Sequence, residues 1–486
     1  MPRIQLKGDG RKARAPKETL GRLLSYMAPY KWTLALVLVC ILVTSVATVA
    51  GSKSLQYVVD DYIRPLLQMD APDLGPLFRF LCIMAAVYVA GILSSFLYNY
   101  LMVQVAQGVQ RDIRDQLFSN MQRLPIRYFD THTHGDLMSR YTNDIDTLRQ
   151  MISQAIPQCI SSVVTLVTVF ATMLLTSPIL TGVVLVTLVG TLLATKKLTG
   201  MSSRFFVGQQ QALGAVNGYI EEMIQGQKVV KVFCHEEAAK SDFDRLNEAL
   251  CTNAYRANMY SGMMGPVNNN LGYLQYVLVA VAGAWLMSRG GGVAVGALMS
   301  FLLLTRSFNQ PISQISMQLN SVVMALAGGA RIFALLDEKP EVNEGDITLV
   351  HAKYEADDTV TETNESTGMW AWKRMDADGK PRYTKLEGDI VFKDVDFGYD
   401  EKKIVLHDIN LYGRPGQKIA FVGSTGAGKT TITNLINRFY DIQKGRILYD
   451  GHDIKSIEKD ALRSSLGIVL QDTHLFTGTV MENIRY

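Results

Sequence analysis

The sequence contains, at residues 423–431, the stretch Gly423-Ser424-Thr425-Gly426-Ala427-Gly428-Lys429-Thr430-Thr431. This stretch matches the phosphate-binding pattern G-x-x-x-x-G-K-[ST], in which glycines let the backbone turn its N–H groups toward phosphate oxygens. In that pattern Lys429 is predicted to reach the β- and γ-phosphates, and the hydroxyl of Thr430 is predicted to bind Mg²⁺. The sequence therefore predicts a nucleotide-binding loop.

The residues on either side of this loop have the periodicity that the pattern requires. Ile419-Ala420-Phe421-Val422 predicts a buried strand that runs into the loop. After the loop, apolar residues recur at the spacing of one helix face, namely at Ile432, Leu435, Ile436 and Phe439. The N-terminus of that helix carries a partial positive charge, which favours a bound anion.

The composition separates the chain into two unlike halves. The 486 residues are enough for about three domains, with apolar residues concentrated before Asp337 and charged residues after it. The net charge of +3 is too small to indicate a nucleic acid as partner. The five cysteines form no C-x-x-C pair, which favours reduced thiols over a disulfide framework or a zinc site.

The first half contains uncharged segments that are long enough to cross a bilayer, for which about 20 residues suffice. A break at Thr176-Ser177-Pro178 divides the longest of them into two helices. With that break the sequence predicts six transmembrane helices within the segments 32–50, 80–110, 150–176, 178–195, 257–288 and from about 293 onward.

The placement of Lys and Arg predicts the orientation of these helices. One side of the membrane would carry 21 of these residues, including a basic tail at residues 1–22, whereas the other would carry only four. Because positive residues stay on the cytoplasmic side, we expect a protein of the cytoplasmic membrane with both termini in the cytoplasm.

The inner connections are long and continue the helical rhythm, notably over 111–124 and 205–260. The membrane helices are therefore expected to project well into the cytoplasm. Two loops between these extensions, near residues 126–140 and 219–231, are predicted to contact a nucleotide-binding domain, because they lie far from the bilayer. The alternative is that they are two solvated helix turns.

The sixth predicted helix is unusually polar. It contains Arg306, and a charge within a membrane helix usually faces protein or water. With Gln310 and Gln314 on the same helix, this pattern predicts a wet substrate cavity. The alternative is that Arg306 extends its charge to the inner membrane interface.

A third region, residues 337–388, is predicted to be an acidic linker or insert, because its first part is rich in Asp and Glu and poor in large apolar residues. Trp370 and Trp372 indicate that its second part packs on another surface. From residue 389 short apolar runs predict a mixed α/β core, with strands at 390–392, 395–397, 404–411, 447–449 and 468–470.

Taken together, these motifs resemble an ATP-binding cassette exporter half-transporter, of the multidrug and lipid-exporter type, over nearly the whole chain. Phe397-Gly398-Tyr399 is similar to the aromatic loop of the family, which implies that Tyr399 stacks on adenine. Val469-Leu470-Gln471-Asp472 is similar to its glutamine loop, which implies that Gln471 coordinates Mg²⁺ together with Thr430.

The resemblance implies a transmembrane domain at residues 23–336 and the first part of a nucleotide-binding domain at 389–486. It also implies ATP and Mg²⁺ as cofactors, a second half-transporter and the lipid bilayer as partners, and a small amphipathic substrate. The signature Ser-Gly-Gly-Gln motif, the catalytic Glu and the switch His of the family would lie after Tyr486, so we expect no catalytic residue within these 486 residues.

Two other functions are compatible with the sequence. The first is a membrane channel or regulator that uses nucleotide only as a switch, which nucleotide-gated conductance without concentrative uptake would reveal. The second is a membrane-anchored enzyme with a phosphate loop, such as a kinase, which phosphoryl transfer to an acceptor would reveal.

Overall fold

The structure, a computed structural model, describes residues 16–69, 73–289, 293–355, 359–400, 403–469 and 474–485. The chain divides into two compact units. The helical unit comprises Met1–Arg114 and Thr142–Phe333, and the phosphate-loop unit comprises Asp115–Tyr141 and Ala334–Tyr486.

Helices account for nearly all of the described chain before Asp337. In chain order they are α1 Pro16–Met27, α2 Lys31–Tyr57, α3 Arg64–Leu66, α4 Gly75–Met121, α5 Ile126–Thr131, α6 His134–Ser139, α7 Ile145–Gln150, α8 Ile156–Thr176, α9 Pro178–Gln225, α10 Gln227–Val232, α11 Glu236–Ser288 and α12 Val295–Leu336. Short 3₁₀ or π segments join α1 to α2, α2 to α3, and α6 through α7 to α8.

Six helical segments of the described chain are long and apolar enough to cross a membrane. They are Lys17–Leu66, Gly75–Met121, His134–Thr176, Pro178–Gln225, Glu236–Ser288 and Val295–Leu336. Their lengths of 42 to 53 residues are about twice what a bilayer needs. The predictions of six spanning helices and of long helical extensions are both confirmed.

The break between the third and fourth of these segments lies where the sequence predicts it. Ser177 leaves the helical conformation, with φ −163° and ψ 105°, and Pro178 occupies the first turn of α9. The hydroxyl oxygen of Ser177 accepts a hydrogen bond from the N–H of Leu180, at 3.4 Å. A serine cap followed by proline is a typical start of a helix, because proline has no N–H that needs a partner there.

The helical unit has an apolar cluster that includes Val169, Leu180, Val279 and Phe301. Many large apolar side chains of the same helices are exposed instead, among them Leu175 and Val186. A helix that is apolar all round needs an apolar surrounding on its outer side. The exposed apolar side chains are therefore suited to contact with lipid.

The phosphate-loop unit contains two four-stranded antiparallel sheets. The strands are β1 Thr348–Tyr354, β2 Val360–Glu362, β3 Trp370–Met375, β4 Pro381–Lys385, β5 Ile390–Phe397, β6 Leu406–Gly413, β7 Lys444–Tyr449 and β8 His452–Asp453. Their order is β2-β1-β3-β4 in the first sheet and β6-β5-β7-β8 in the second. Three further helices, α13 Lys429–Ile436, α14 Lys459–Ser464 and α15 Val480–Ile484, complete the unit.

The first of these sheets differs from the solvated linker that the acidic composition predicts for the early part of residues 337–388. The region folds because Trp372 of β3 is fully buried in the core of the unit, together with Phe392 and Val395. Most of the acidic residues that the structure describes in this region remain at the surface, where some of them pair with lysines. Two such pairs are Glu365 with Lys353 and Glu362 with Lys373, each at 2.7 Å.

Two other predicted strands, at 419–422 and 468–470, are not confirmed; residue 470 lies outside the described residues. Residues 418–423 and 466–469 have no strand structure, and Val422 and Val469 are 95% and 98% exposed. A strand is stabilised by hydrogen bonds to its neighbours. Neither segment pairs with another strand of the described chain, which accounts for the difference.

The first sheet is held to the second by the carboxylate of Asp450, in the turn between β7 and β8. This carboxylate accepts a hydrogen bond from Trp372 Nε1 at 2.8 Å. It also accepts hydrogen bonds from the backbone N–H groups of Glu387, Gly388 and Asp389, at 3.2, 2.8 and 2.8 Å. The ring of Trp372 meets that of Tyr449 edge-on, with 5.4 Å between centroids.

Replacing the buried ring should therefore destabilise both sheets. Trp372→Ala removes a fully buried side chain, for which a loss of about 3–5 kcal/mol is typical. We expect amide exchange in residues 444–453 of the detergent-solubilised protein to accelerate by about 100-fold or more, at about 1.4 kcal/mol per tenfold change.

The matched control for this experiment is Trp370→Ala, because Trp370 is on the same strand but only half-buried. It should leave exchange in residues 444–453 within a few-fold of the wild type. Equal exchange in both variants would show that Trp372 does not anchor the first sheet.

A second anchor fixes the segment between α12 and β1. Glu341 makes a bidentate ion pair with Arg463, at 2.9 and 2.7 Å, and a third contact with Lys459 at 2.9 Å. Burial opposes ionisation of Glu341, but the hydrogen bonds from Arg463 and Lys459 outweigh it. They hold the pKa of this carboxyl below its usual value of 4.5.

The lowered pKa predicts how acid affects stability. The carboxyl of Glu341 binds a proton less tightly in the folded state than in the unfolded state. The stabilisation of the folded state by this carboxylate is therefore complete above pH 4.5 and is lost as the pH falls through the pKa of the folded state. The thermal midpoint of Glu341→Gln should lie below that of the wild type at pH 7. The gap between the two midpoints should narrow below pH 4.5, whereas a constant gap would contradict this account.

Candidate nucleotide-binding site

The loop at residues 423–428 has the backbone conformation that the sequence predicts. Gly426 and Gly428 have φ of +87° and +88°, in the left-handed region that favours glycine. A Cβ on Gly428 would also lie 2.5 Å from the Cδ2 atom of Leu406. Any other residue at Gly428 would strain the loop just before α13 begins at Lys429.

Lys429 closes the loop on itself. Its Nζ atom donates hydrogen bonds to the carbonyl oxygens of Gly423 and Ser424, both at 2.8 Å. The ammonium group is thereby held over the loop, where it can exchange these carbonyls for phosphate oxygens. The N–H groups of the first turn of a helix have no acceptor within that helix, so those of α13 can add donors for an anion at the same place.

The two threonines after Lys429 have different surroundings. Thr430 is exposed, so its hydroxyl is free to ligate a cation beside the phosphates. Thr431 is buried, and its hydroxyl oxygen accepts a hydrogen bond from Tyr399 Oη at 3.1 Å. This bond brings the predicted adenine platform and the phosphate loop together, which the sequence alone did not establish.

Tyr399 follows β5 in a turn that is fixed by the backbone of Gly398. The side chain of Gln443 accepts a hydrogen bond from the N–H of Gly398 at 3.0 Å. It also donates a hydrogen bond to the carbonyl oxygen of Gly398 at 2.7 Å. A Cβ on Gly398 would lie 2.3 Å from the carbonyl oxygen of Lys403. The Tyr399 side chain is 39% exposed, so one part of its ring is available to a ligand.

The remaining residues of the predicted site divide into two groups. Ser424, Thr425, Gly426 and Ala427 form the exposed part of the loop. Gln471, the second predicted Mg²⁺ ligand, lies outside the described residues. The structure therefore describes one of the two predicted metal ligands, Thr430.

The first inner loop belongs to the same unit as the phosphate loop and forms α5 and α6. Tyr440, which follows α13, donates a hydrogen bond from its hydroxyl to the carboxylate of Asp130 on α5. Beside this contact is a cavity of about 380 Å³, lined in part by Arg127, Lys339 and Tyr399. The sequence alone does not predict this contact, because nothing local to Tyr440 indicates a partner 310 residues away.

The second inner loop is part of the helical unit and forms the end of α9 and α10. Four apolar side chains in this loop and directly after it are open to solvent in the single chain. Ile224, Val229, Val232 and Phe233 are between 60% and 76% exposed.

The predicted substrate-cavity residues are not gathered at one place. Arg306 and Gln310 are exposed on α12. The side-chain oxygen of Gln314, in contrast, accepts hydrogen bonds from Gln158 at 2.7 Å and Ser162 at 3.2 Å on α8. Gln158 is a polar residue within the apolar run of α8, and this is the feature of the sequence that could have indicated the contact.

Comparisons with known proteins find similarity to one family over most of the chain. The family described as the ABC transporter transmembrane region matches residues 34–312, and that described as ABC transporter matches residues 406–485. An uncharacterised ABC transporter ATP-binding protein of Bacillus subtilis is 36% identical over 98% of this chain and 72% of its own length.

Two further relatives carry more specific names. A fatty acid ABC transporter ATP-binding/permease protein of Mycobacterium bovis is 35% identical, over 85% of this chain and 60% of its own length. An ATP-dependent lipid A-core flippase of Syntrophus aciditrophicus is 26% identical, over 96% of this chain and 71% of its own length. The chain thus spans roughly 60–70% of the lengths of these relatives, and it belongs to the ABC transporter family.

Proposed function

We propose that this protein is one half of a dimeric ABC exporter, which uses ATP and Mg²⁺ to move amphipathic small molecules across the cytoplasmic membrane. The observation that carries the proposal is the contact between Tyr440 and Asp130, because it joins the part of the chain that would bind ATP to an inner loop. A plain membrane anchor would not need such a contact.

The chemistry of the site supports ATP as the ligand. The glycine backbone, Lys429 and the N-terminus of α13 would hold the phosphates, and the ring of Tyr399 would stack on adenine. Thr430 and Gln471 would hold Mg²⁺, which neutralises charge on the β- and γ-phosphates. ATP bound between two such domains would favour their closure, and its hydrolysis would release them.

The exposed apolar side chains in the second inner loop and directly after it support a second half-transporter as partner. Ile224, Val229, Val232 and Phe233 leave apolar area in water, at a cost of about 25 cal/mol per Å². Docking on the nucleotide-binding domain of the partner would bury them. The distribution of Lys and Arg supports a cytoplasmic position for this loop and for both termini.

A drug-like or lipid-like substrate is supported by the names of the relatives, which include a fatty acid transporter and a probable multidrug resistance transporter. Both kinds of substrate pair an apolar body with a polar or charged group. Arg306 and Gln310, exposed on the unusually polar sixth helix, are suited to the polar group. Gln314 would serve the same path indirectly, through its bonds to Gln158 and Ser162 of α8.

The nucleotide site can be tested by ATP binding to purified protein. Lys429→Ala should weaken ATP binding by about 10-fold to 100-fold, since hydrogen bonds to charged groups contribute roughly 1.5–3 kcal/mol. Tyr399→Ala should weaken it by about 5-fold or more, through loss of base stacking. Lys380→Ala and Tyr412→Ala remove exposed residues of the same types and should bind ATP normally. Equal affinities in all four variants would contradict the proposed site.

Transport can be tested with inside-out membrane vesicles that contain the full-length protein. A fluorescent amphipathic dye should accumulate against its gradient when ATP and Mg²⁺ are added, and Lys429→Ala should abolish accumulation. Nucleotide-gated conductance without accumulation would instead favour a regulated channel. Arg306→Ala with unchanged rate and substrate profile would remove Arg306 from the substrate path.

A further inference from the structure

We propose that Tyr440 is a positioning residue that links the adenine platform Tyr399 to the first inner loop through the carboxylate of Asp130. The inference deepens the proposed function and rests on it, because it takes Tyr399 to be the residue that stacks on the base. The ring of Tyr440 would contact Tyr399, and the hydroxyl of Tyr440 would hold Asp130.

The first step of the link is a set of three aromatic rings that contact one another. Tyr440 meets Tyr399 edge-on, with 4.9 Å between centroids and an interplanar angle of 88°. Phe397 lies 5.0 Å from Tyr399 and 5.7 Å from Tyr440. Edge-to-face contacts at these distances favour one relative orientation. A rotation of the Tyr399 ring would therefore have to displace the ring of Tyr440.

The second step is the hydrogen bond from the Tyr440 hydroxyl to Asp130. Burial, and then this bond to a carboxylate, raise the pKa of Tyr440, so the phenol stays protonated and remains a donor. A hydrogen bond to a charged acceptor is stronger and more directional than one between neutral groups. The position of the Tyr440 ring thus affects the position of Asp130.

The third step is the attachment of Asp130 to a firmly held segment. Asp130 lies on α5, close after Leu124, which is buried. The carbonyl oxygen of Arg123 accepts the N–H of Glu341 at 2.7 Å. Asn120, in the last turn of α4, donates to the carbonyl oxygen of Leu335 at 2.9 Å. A shift of Asp130 would therefore act on the end of α4 and not on a loose loop.

Together these contacts connect the adenine platform Tyr399 with Asp130 of the first inner loop, so that a ligand or movement at either end can favour one arrangement of the whole set. Base stacking would favour one orientation of Tyr399, and the inner loop would favour one position of Asp130. Coupling of this kind is reciprocal and typically changes an equilibrium by about 5-fold to 150-fold. Phosphate contacts at Lys429 do not involve Tyr440, so loss of the link should leave most of the ATP affinity intact.

The test is amide hydrogen exchange of residues 126–139 in the full-length protein, with and without ATP and Mg²⁺. In the wild type, ATP should slow exchange in this segment by about 5-fold or more. Tyr440→Phe keeps the ring but removes the donor, and Asp130→Asn weakens the acceptor. In each variant ATP should slow exchange less than about 2-fold, while the ATP affinity stays within about 3-fold of the wild type.

The matched control is Tyr383→Phe. It removes the same kind of bond elsewhere in the unit, since Tyr383 donates to Glu362 at 2.8 Å. This variant should behave as the wild type, and the double variant of Tyr440 and Asp130 should lose no more than either single variant. If ATP slowed exchange in Tyr440→Phe as much as in the wild type, the inference would be overturned but the proposed function would stand. The same holds if the wild type bound ATP and its exchange did not slow. Absence of ATP binding in the wild type would overturn the proposed function as well.

Discussion

The left-handed backbone at Gly426 and Gly428 is the constraint on which the nucleotide site depends. It turns the loop so that Lys429 lies over the carbonyl groups of the same loop and α13 starts where a phosphate would be held. The burial of Thr431 then fixes Tyr399 beside α13. From Tyr399 the contacts continue through Tyr440 to an inner loop, so one local conformation has consequences for a distant part of the unit.

The helical unit is governed by a different requirement, since its long helices must satisfy polar groups within an apolar surrounding. Its polar side chains pair between helices at several places. Gln275 of α11 accepts a hydrogen bond from Asn309 at 2.6 Å, and Gln314 of α12 pairs with α8. Such bonds fix the register of neighbouring helices, where apolar contacts alone would allow them to slide. Arg306 remains exposed on the same helix, which is consistent with its proposed role toward a polar substrate group.

Much of this architecture is predictable because it depends on local chemistry. Apolar runs predict six spanning helices, Ser177 and Pro178 predict the break between two of them, and the glycine pattern predicts the phosphate loop. The sheet β1–β4 is not predictable in the same way, because it depends on Trp372 reaching Asp450, 78 residues further along the chain. The segments 419–422 and 468–469 show the converse, since apolar residues form a strand only where a neighbouring strand is present. For the same reason the partner of Tyr440 appears only in the folded chain.

The central claim is that this chain binds ATP at one phosphate loop, and equilibrium dialysis of radiolabelled ATP against the purified full-length protein tests it most directly. In the presence of Mg²⁺ the account predicts saturable binding that approaches one ATP per chain and is displaced by unlabelled ATP. Binding that does not saturate, or no binding at the millimolar concentrations typical of cellular ATP, would contradict it.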